Sequence, residues 1–160
     1  MNSVFLHVGF GDYKVSSDPQ SVLTALGLGS CVAVTLYDSK KRIGGMIHVV
    51  LPTGNGKLHS LKGKYADTGI PGLLEAMLQA GADRRRLVAK LAGGAKIIKR
   101  NFPILDLNIG DKNVQKCLEI LRSLRIPVEA QDTGGSAGRV AELHVGTGAL
   151  IIRQREEIRL

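Results

Sequence analysis

The stretch from Gly27 to Leu51 constrains this chain more than any other. Gly27-Leu28-Gly29-Ser30-Cys31 leads into the apolar-rich residues 32–37. A polar break follows, Asp38-Ser39-Lys40-Lys41-Arg42, and then Gly44-Gly45-Met46-Ile47-His48-Val49-Val50. Two apolar runs of strand length around a short polar break predict one antiparallel β-hairpin. His48 lies seventeen positions after Cys31, so closing the hairpin carries an imidazole towards a thiol. That pair is the minimal kit of a cysteine nucleophile.

Opposed residues of an antiparallel pair have position numbers with a constant sum. Cys31 and His48 sum to 79. A two-residue turn at Ser39-Lys40 therefore sets them face to face, with Cβ atoms roughly 4.5–5.5 Å apart. Registers with sums of 77 or 81 keep them diagonal neighbours on one face, and sums of 78 or 80 put them on opposite faces. The five-residue break permits either parity. Val32, Val34 and Leu36, with Ile47, Val49 and Leu51, make the predicted core faces. Cys31 and His48 fall on the other face or at the strand ends, where a substrate is expected to arrive.

At 160 residues the chain fits one domain. No apolar run approaches the roughly 18 residues of a membrane span. The N-terminus lacks the basic flank and apolar run of a signal peptide. With only two cysteines, the expectation is a cytoplasmic protein without a disulfide scaffold. The net charge is +8, which attracts nucleic acid, anionic lipid or an acidic protein. The cations are scattered and aromatics are only 4% of residues. A base-stacking surface is not expected, and the basic face points to an acidic protein partner.

Alternation at Val4, Leu6, Val8 and Phe10 predicts a first strand that residues 12–15 continue. Ser16-Ser17-Asp18-Pro19 is a turn. Residues 52–64 read as a loop beside the candidate site. Ile70, Leu73, Leu74, Met77 and Leu78 form one helical stripe. Asp67 or Thr68 is the expected cap, Pro71 suits the first turn, and Gly81 the stop. Residues 87–91 predict a strand and residues 95–100 a short helix. A second long helix carries Val114, Cys117, Leu118, Leu121 and Leu124. Residues 128–132, 140–145 and 150–153 predict strands, the last two joined by Gly146-Thr147-Gly148. The fold class is α/β: mixed, mostly antiparallel sheets packed with two long helices.

Cys117 sits on an apolar helical stripe and reads as core. Cys31 follows Gly-x-Gly-Ser, so its backbone is closely approachable and its N–H is available to an oxyanion. His7, His59 and His144 lack metal-ligand spacing, and no metal or organic cofactor is expected. Gly134-Gly135-Ser136-Ala137-Gly138 matches Gly-x-Ser-x-Gly, but a nucleophile elbow needs a following helix, and a strand is predicted there.

Leu26-Gly27-Leu28-Gly29-Ser30-Cys31-Val32-Ala33-Val34, followed by Gly44-Gly45-Met46-Ile47-His48-Val49-Val50-Leu51-Pro52, resembles the signature of the CheD family of chemoreceptor glutamine deamidases. Gly63-Lys64-Tyr65-Ala66-Asp67, Ala92-Gly93-Gly94-Ala95, Asn108-Ile109-Gly110-Asp111-Lys112-Asn113 and Asp132-Thr133-Gly134-Gly135 agree with it in order. The resemblance implies a single deamidase domain over residues 1–160, with a fold related to deamidating bacterial toxins. It implies hydrolysis of glutamine side chains on methyl-accepting chemotaxis receptors, with receptor methylesterase activity as a second capacity. It also implies a CheC-type phosphatase as partner.

By position, Cys31 matches the family nucleophile and His48 its base. Gly29 and Ser30 are the expected oxyanion and substrate-binding residues. The family's third catalytic residue is a threonine six positions before the cysteine, where this chain has Ala25 beside Thr24. Three readings stand: a bulge brings Thr24 into the role, a backbone carbonyl orients His48 instead, or the enzyme works slowly. A non-catalytic adaptor that binds receptors or the phosphatase is the alternative to an enzyme.

Overall fold

The computed structural model describes residues 2–57, 60–97 and 108–154. The strands are β1 (Val4–His7), β2 (Tyr13–Ser16), β3 (Ser21–Leu28), β4 (Val32–Asp38), β5 (Ile43–Val49), β6 (Val88–Gly93), β7 (Val128–Thr133), β8 (Arg139–His144) and β9 (Leu150–Gln154). The α-helices are α1 (Ala66–Gln79) and α2 (Ile109–Ser123), and a 3-10 turn spans Arg84–Arg86. One sheet runs β1-β3-β8-β9 and the other β2-β5-β4-β6-β7. Among the described residues only the β1–β3 and β6–β7 pairs are parallel, so the mixed, mostly antiparallel α/β class expected from the sequence is the observed one.

Three layers result: helices, five-stranded sheet, four-stranded sheet. Val32, Val34, Leu36, Ile47 and Val49 of the hairpin pack against Ile70, Leu73 and Met77 of α1 and Cys117 and Leu121 of α2. The opposite face of the hairpin, through Cys31, Ala33 and Met46, packs against Leu23, Ala25, Ala141 and Leu143 of the other sheet. Both faces of β4 and β5 are therefore buried along their whole lengths. This narrows one expectation. The sheet face bearing Cys31 and His48 is covered by the four-stranded sheet, which leaves the strand ends: Cys31 directly precedes β4 and His48 is the last residue but one of β5.

The first predicted strand divides. β1 joins one sheet and β2 the other, and Val8 to Asp12 crosses between the layers. Gly11, at φ 72, gives this segment its bend.

Helix α1 also starts earlier than predicted. Its N-cap is Tyr65, which makes no side-chain cap, and Pro71 sits inside the helix. The Ala66 and Asp67 N–H groups instead donate to the Leu51 and Pro52 carbonyls at 3.0 and 3.3 Å. Tertiary carbonyls replace the local cap that the sequence pattern favoured. Gly81 stops the helix as expected, at φ 104. Residues 95–97 are not helical. The remainder of that predicted helix, and His59, lie outside the described residues.

Candidate active site

In the hairpin, Val32 opposes Val49 and Ala33 opposes His48, so paired positions sum to 81. Of the registers the sequence left open, this one makes Cys31 and His48 diagonal neighbours on one face. The turn that sets it is Ser39 to Arg42. Asp38 Oδ1 accepts the Lys40 and Lys41 N–H groups at 3.1 and 3.2 Å, and Arg42 takes a left-handed φ of 53.

The β1–β2 crossover cradles His48. Its Nδ1 lies 3.2 Å from the Val8 carbonyl oxygen. The Gly11 N–H donates to the His48 carbonyl at 3.1 Å, and the His48 N–H donates to the Asp12 carbonyl at 3.0 Å. The exposed Phe10 ring leans on the imidazole at 5.6 Å between centroids, tilted by 60°. A carbonyl has no proton to give, so Nδ1 carries the hydrogen and Nε2 presents its lone pair. Nε2 is buried and, among the described residues, has no hydrogen-bond partner. Burial pushes the imidazole below its ordinary pKa, the Val8 bond works in the opposite direction, and His7 adds to the lowering.

Cys31 is 6% exposed, and burial pushes its thiol up to about 11. The resting thiol is therefore protonated near neutrality. Its backbone is held by Gly94, whose N–H donates to the Cys31 carbonyl at 2.9 Å. A side chain at Gly93, at φ 116, would run into that same carbonyl oxygen.

Of the two expected oxyanion residues, Gly29 has its N–H engaged, donating to the Gly27 carbonyl at 3.0 Å. The N–H groups of Ser30 and Cys31 have no acceptor among the described residues. The free donors thus sit at the nucleophile and the residue before it.

Thr24 is not brought to the pair. On β3, Leu23 and Ala25 point into the layer between the sheets. Thr24 alternates away from them, opposite His7 and Glu142. The register irregularity of β3 falls between Ala25 and Leu28, beyond Thr24, and so does not turn it inward. Its Oγ1 is buried without a partner among the described residues.

Two contributors escaped the sequence reading. The Val8 carbonyl is backbone and leaves no residue-type signal. Asn113 does leave one. It precedes Cys117 and Leu121 at helical spacing, a polar residue on an apolar stripe, and it is fully buried. Its Nδ2 donates to the Ser30 and Val50 carbonyls, each at 2.9 Å.

Cys117 is fully buried in the helix-side core. The Gly-x-Ser-x-Gly segment is the loop between β7 and β8, with no helix after it. Among the described residues, no group of three or more His, Cys, Asp or Glu could hold a metal ion, and no helix is long and apolar enough to cross a membrane.

A family model described as CheD chemotactic sensory transduction matches residues 50–154. The chain belongs to the CheD family. A "Probable chemoreceptor glutamine deamidase CheD" from Caldanaerobacter subterraneus subsp. tengcongensis is 44% identical over 96% of this chain and 94% of its own length. The "Chemoreceptor glutamine deamidase CheD" of Thermotoga maritima is 42% identical over 92% of this chain and 90% of its own. The model's span begins after His48, but these CheD relatives cover nearly the whole chain. Among solved structures, Bacillus licheniformis hypothetical protein YfiH superposes with a TM-score of 0.40 and 14% identity, over 84% of this chain and 60% of that one.

Proposed function

We propose that this chain is a protein-glutamine deamidase of chemoreceptors, with Cys31 as nucleophile and His48 as general base. The relatives' names support the reaction. The observation that carries the residue assignment is His48: Nδ1 is tied to a carbonyl, and the lone pair of Nε2 is left free on the face that Cys31 shares.

The Cys31 Sγ attacks the glutamine side-chain carbonyl as Nε2 takes the thiol proton. The resting thiol is protonated, so deprotonation accompanies attack. The C=O pair moves onto oxygen, and the free N–H groups of Ser30 and Cys31 receive the charge. Collapse breaks the C–N bond, and Nε2 returns its proton to the departing ammonia. Water, deprotonated by Nε2, then cleaves the thioester to glutamate and free thiol. Nε2 has no bond to the thiol in the free enzyme, and substrate binding closes that gap, as in many unliganded hydrolases. The Val8 carbonyl, not a threonine, orients the imidazole.

The substrate face is the glutamine-bearing cytoplasmic helices of receptors, which places the reaction in the cytoplasm. Receptor methyl esters offer the same acyl centre to the same nucleophile. A CheC-type phosphatase as second partner rests on the family resemblance. The test is mass spectrometry of a receptor cytoplasmic fragment for the one-dalton gain of deamidation, together with ammonia release. Cys31→Ala and His48→Ala should each abolish both, and Cys117→Ala should not. Activity retained in Cys31→Ala would overturn the proposal.

A further inference from the structure

The two N–H groups of the Asn113 amide bridge two strands beside the nucleophile. One meets the carbonyl of Ser30, immediately before Cys31, and the other meets Val50, the residue opposite Cys31 in the hairpin register. Asn113 is fully buried, and its Oδ1 has no partner among the described residues. Two carbonyl acceptors demand the NH2 end, so the amide's orientation is set by its contacts.

The Ser30 carbonyl belongs to the same planar peptide as the Cys31 N–H. In a trans peptide these two groups point in opposite directions. Fixing the carbonyl towards α2 therefore fixes the N–H away from it, and that N–H has no acceptor among the described residues. The bond also withdraws charge through the peptide, which strengthens the N–H as a donor.

We infer that Asn113 is a positioning residue: it locks the Ser30–Cys31 peptide so that the Cys31 N–H is aimed at the developing oxyanion. The second bond, to Val50, ties the far end of the hairpin to the same amide, so that Cys31 and the strand bearing His48 share one anchor. Helix α2 thereby contributes to the site without touching substrate. This rests on the hydrolase reading above.

Asn113→Leu keeps the branched outline and removes both donors. Asn113→Asp keeps the shape and, ionised, presents acceptors to both carbonyls. Each is compared with the unaltered protein for ammonia release from a receptor fragment and for alkylation of Cys31 by iodoacetamide. A misaimed oxyanion donor lowers kcat, here by roughly tenfold to a hundredfold, with KM and the alkylation rate unchanged within about twofold. A generally loosened site would speed alkylation, by exposing a thiol that burial holds protonated, or raise KM as well. If Asn113→Leu does not fold, Asn113→Asp makes the same comparison.

Unchanged kcat in a folded variant overturns the inference. So does a kcat loss matched by an equal change in alkylation. An unaltered protein that releases no ammonia overturns the hydrolase reading itself, and the inference with it.

Discussion

The Nδ1 of His48 and the carbonyl oxygen of Val8 lie 3.2 Å apart, and this contact decides which nitrogen of the ring is left for chemistry. A carbonyl partner forces the Nδ1–H tautomer. In many hydrolases a side chain performs this duty. Here a backbone atom of the β1–β2 crossover does so, and Phe10 of the same segment leans on the ring.

The pH dependence follows from two shifts. Burial lowers the His48 pKa from 6.5, so the neutral base persists below that value. The acid limb of kcat/KM for ammonia release should have its half-maximum below pH 6.5. On the alkaline side the Cys31 thiol, at about 11, stays protonated through the working range. The profile should therefore be flat across mildly alkaline pH. A rate that climbs about tenfold per pH unit there would identify the free thiolate as the reactive form and exclude general-base attack.

Thr24 offers a sharper test of what orients His48. Its hydroxyl, on the outward side of β3, is buried without a partner among the described residues. Thr24→Val keeps the shape and removes the orphaned group, which ordinarily costs about 1–3 kcal/mol to bury. Thermal unfolding should move upward, and kcat should stay within about twofold. A large loss of kcat with the fold intact would return Thr24 to the site.

The sequence made the hairpin legible because alternation and a polar break are local, and its sum rule narrowed the register to parity. Parity itself was decided by the turn, through Asp38 and the left-handed Arg42, which no apolar pattern encodes. The core side of β4 was read correctly from Val32, Val34 and Leu36. For the other side the pattern left an open face and the strand ends as alternatives, because Ala33 and Met46 give no sign that a second sheet covers them. The cap of α1 was lost for a related reason: its partners, the Leu51 and Pro52 carbonyls, are tertiary. Cys31 and His48 were readable as residue types, whereas the Val8 carbonyl was not. Asn113 was visible only as a polar interruption of an apolar stripe.

Asp38 anchors the end of the hairpin. It is fully buried, and its carboxylate accepts two bonds from Arg86, each at 2.9 Å, and one from the Asp83 N–H at 2.9 Å. The Arg86 guanidinium holds the carboxyl well below the usual carboxylate range, against the opposing effect of burial. A depressed folded pKa contributes stability that is complete above the unfolded value and is lost as pH falls through the folded one. Asp38→Asn should cost about 3 kcal/mol at neutral pH, the lower end for breaking a buried pair. In denaturant titrations that gap to the unaltered protein should hold down to pH 3.8 and close only below it. A gap that closes near neutrality would exclude the carboxylate as the anchor.

The two helices end in the same motif with different residues. After α1 the Ala82 N–H donates to the Met77 carbonyl and the Gly81 N–H to that of Leu78, both at 3.0 Å. After α2 the Ile126 N–H donates to Leu121 and the Arg125 N–H to Arg122, again at 3.0 Å. Both are Schellman turns, which need a left-handed residue at the position after the cap. Gly81 supplies it for α1, but α2 uses Arg125 at φ 59. A side chain there crowds its own carbonyl, at a cost of about 1–2 kcal/mol. Arg125→Gly relieves that and gives back part of the gain by loosening the unfolded chain. The net should be a stabilisation of about 0.5–1 kcal/mol, seen as a rise of roughly 1–4 °C in the thermal midpoint for a chain of this size. Gly81→Ala should move the midpoint down. If Arg125→Gly lowered it instead, contacts of the Arg125 side chain would outweigh its backbone strain, and the motif would not be what limits the end of α2.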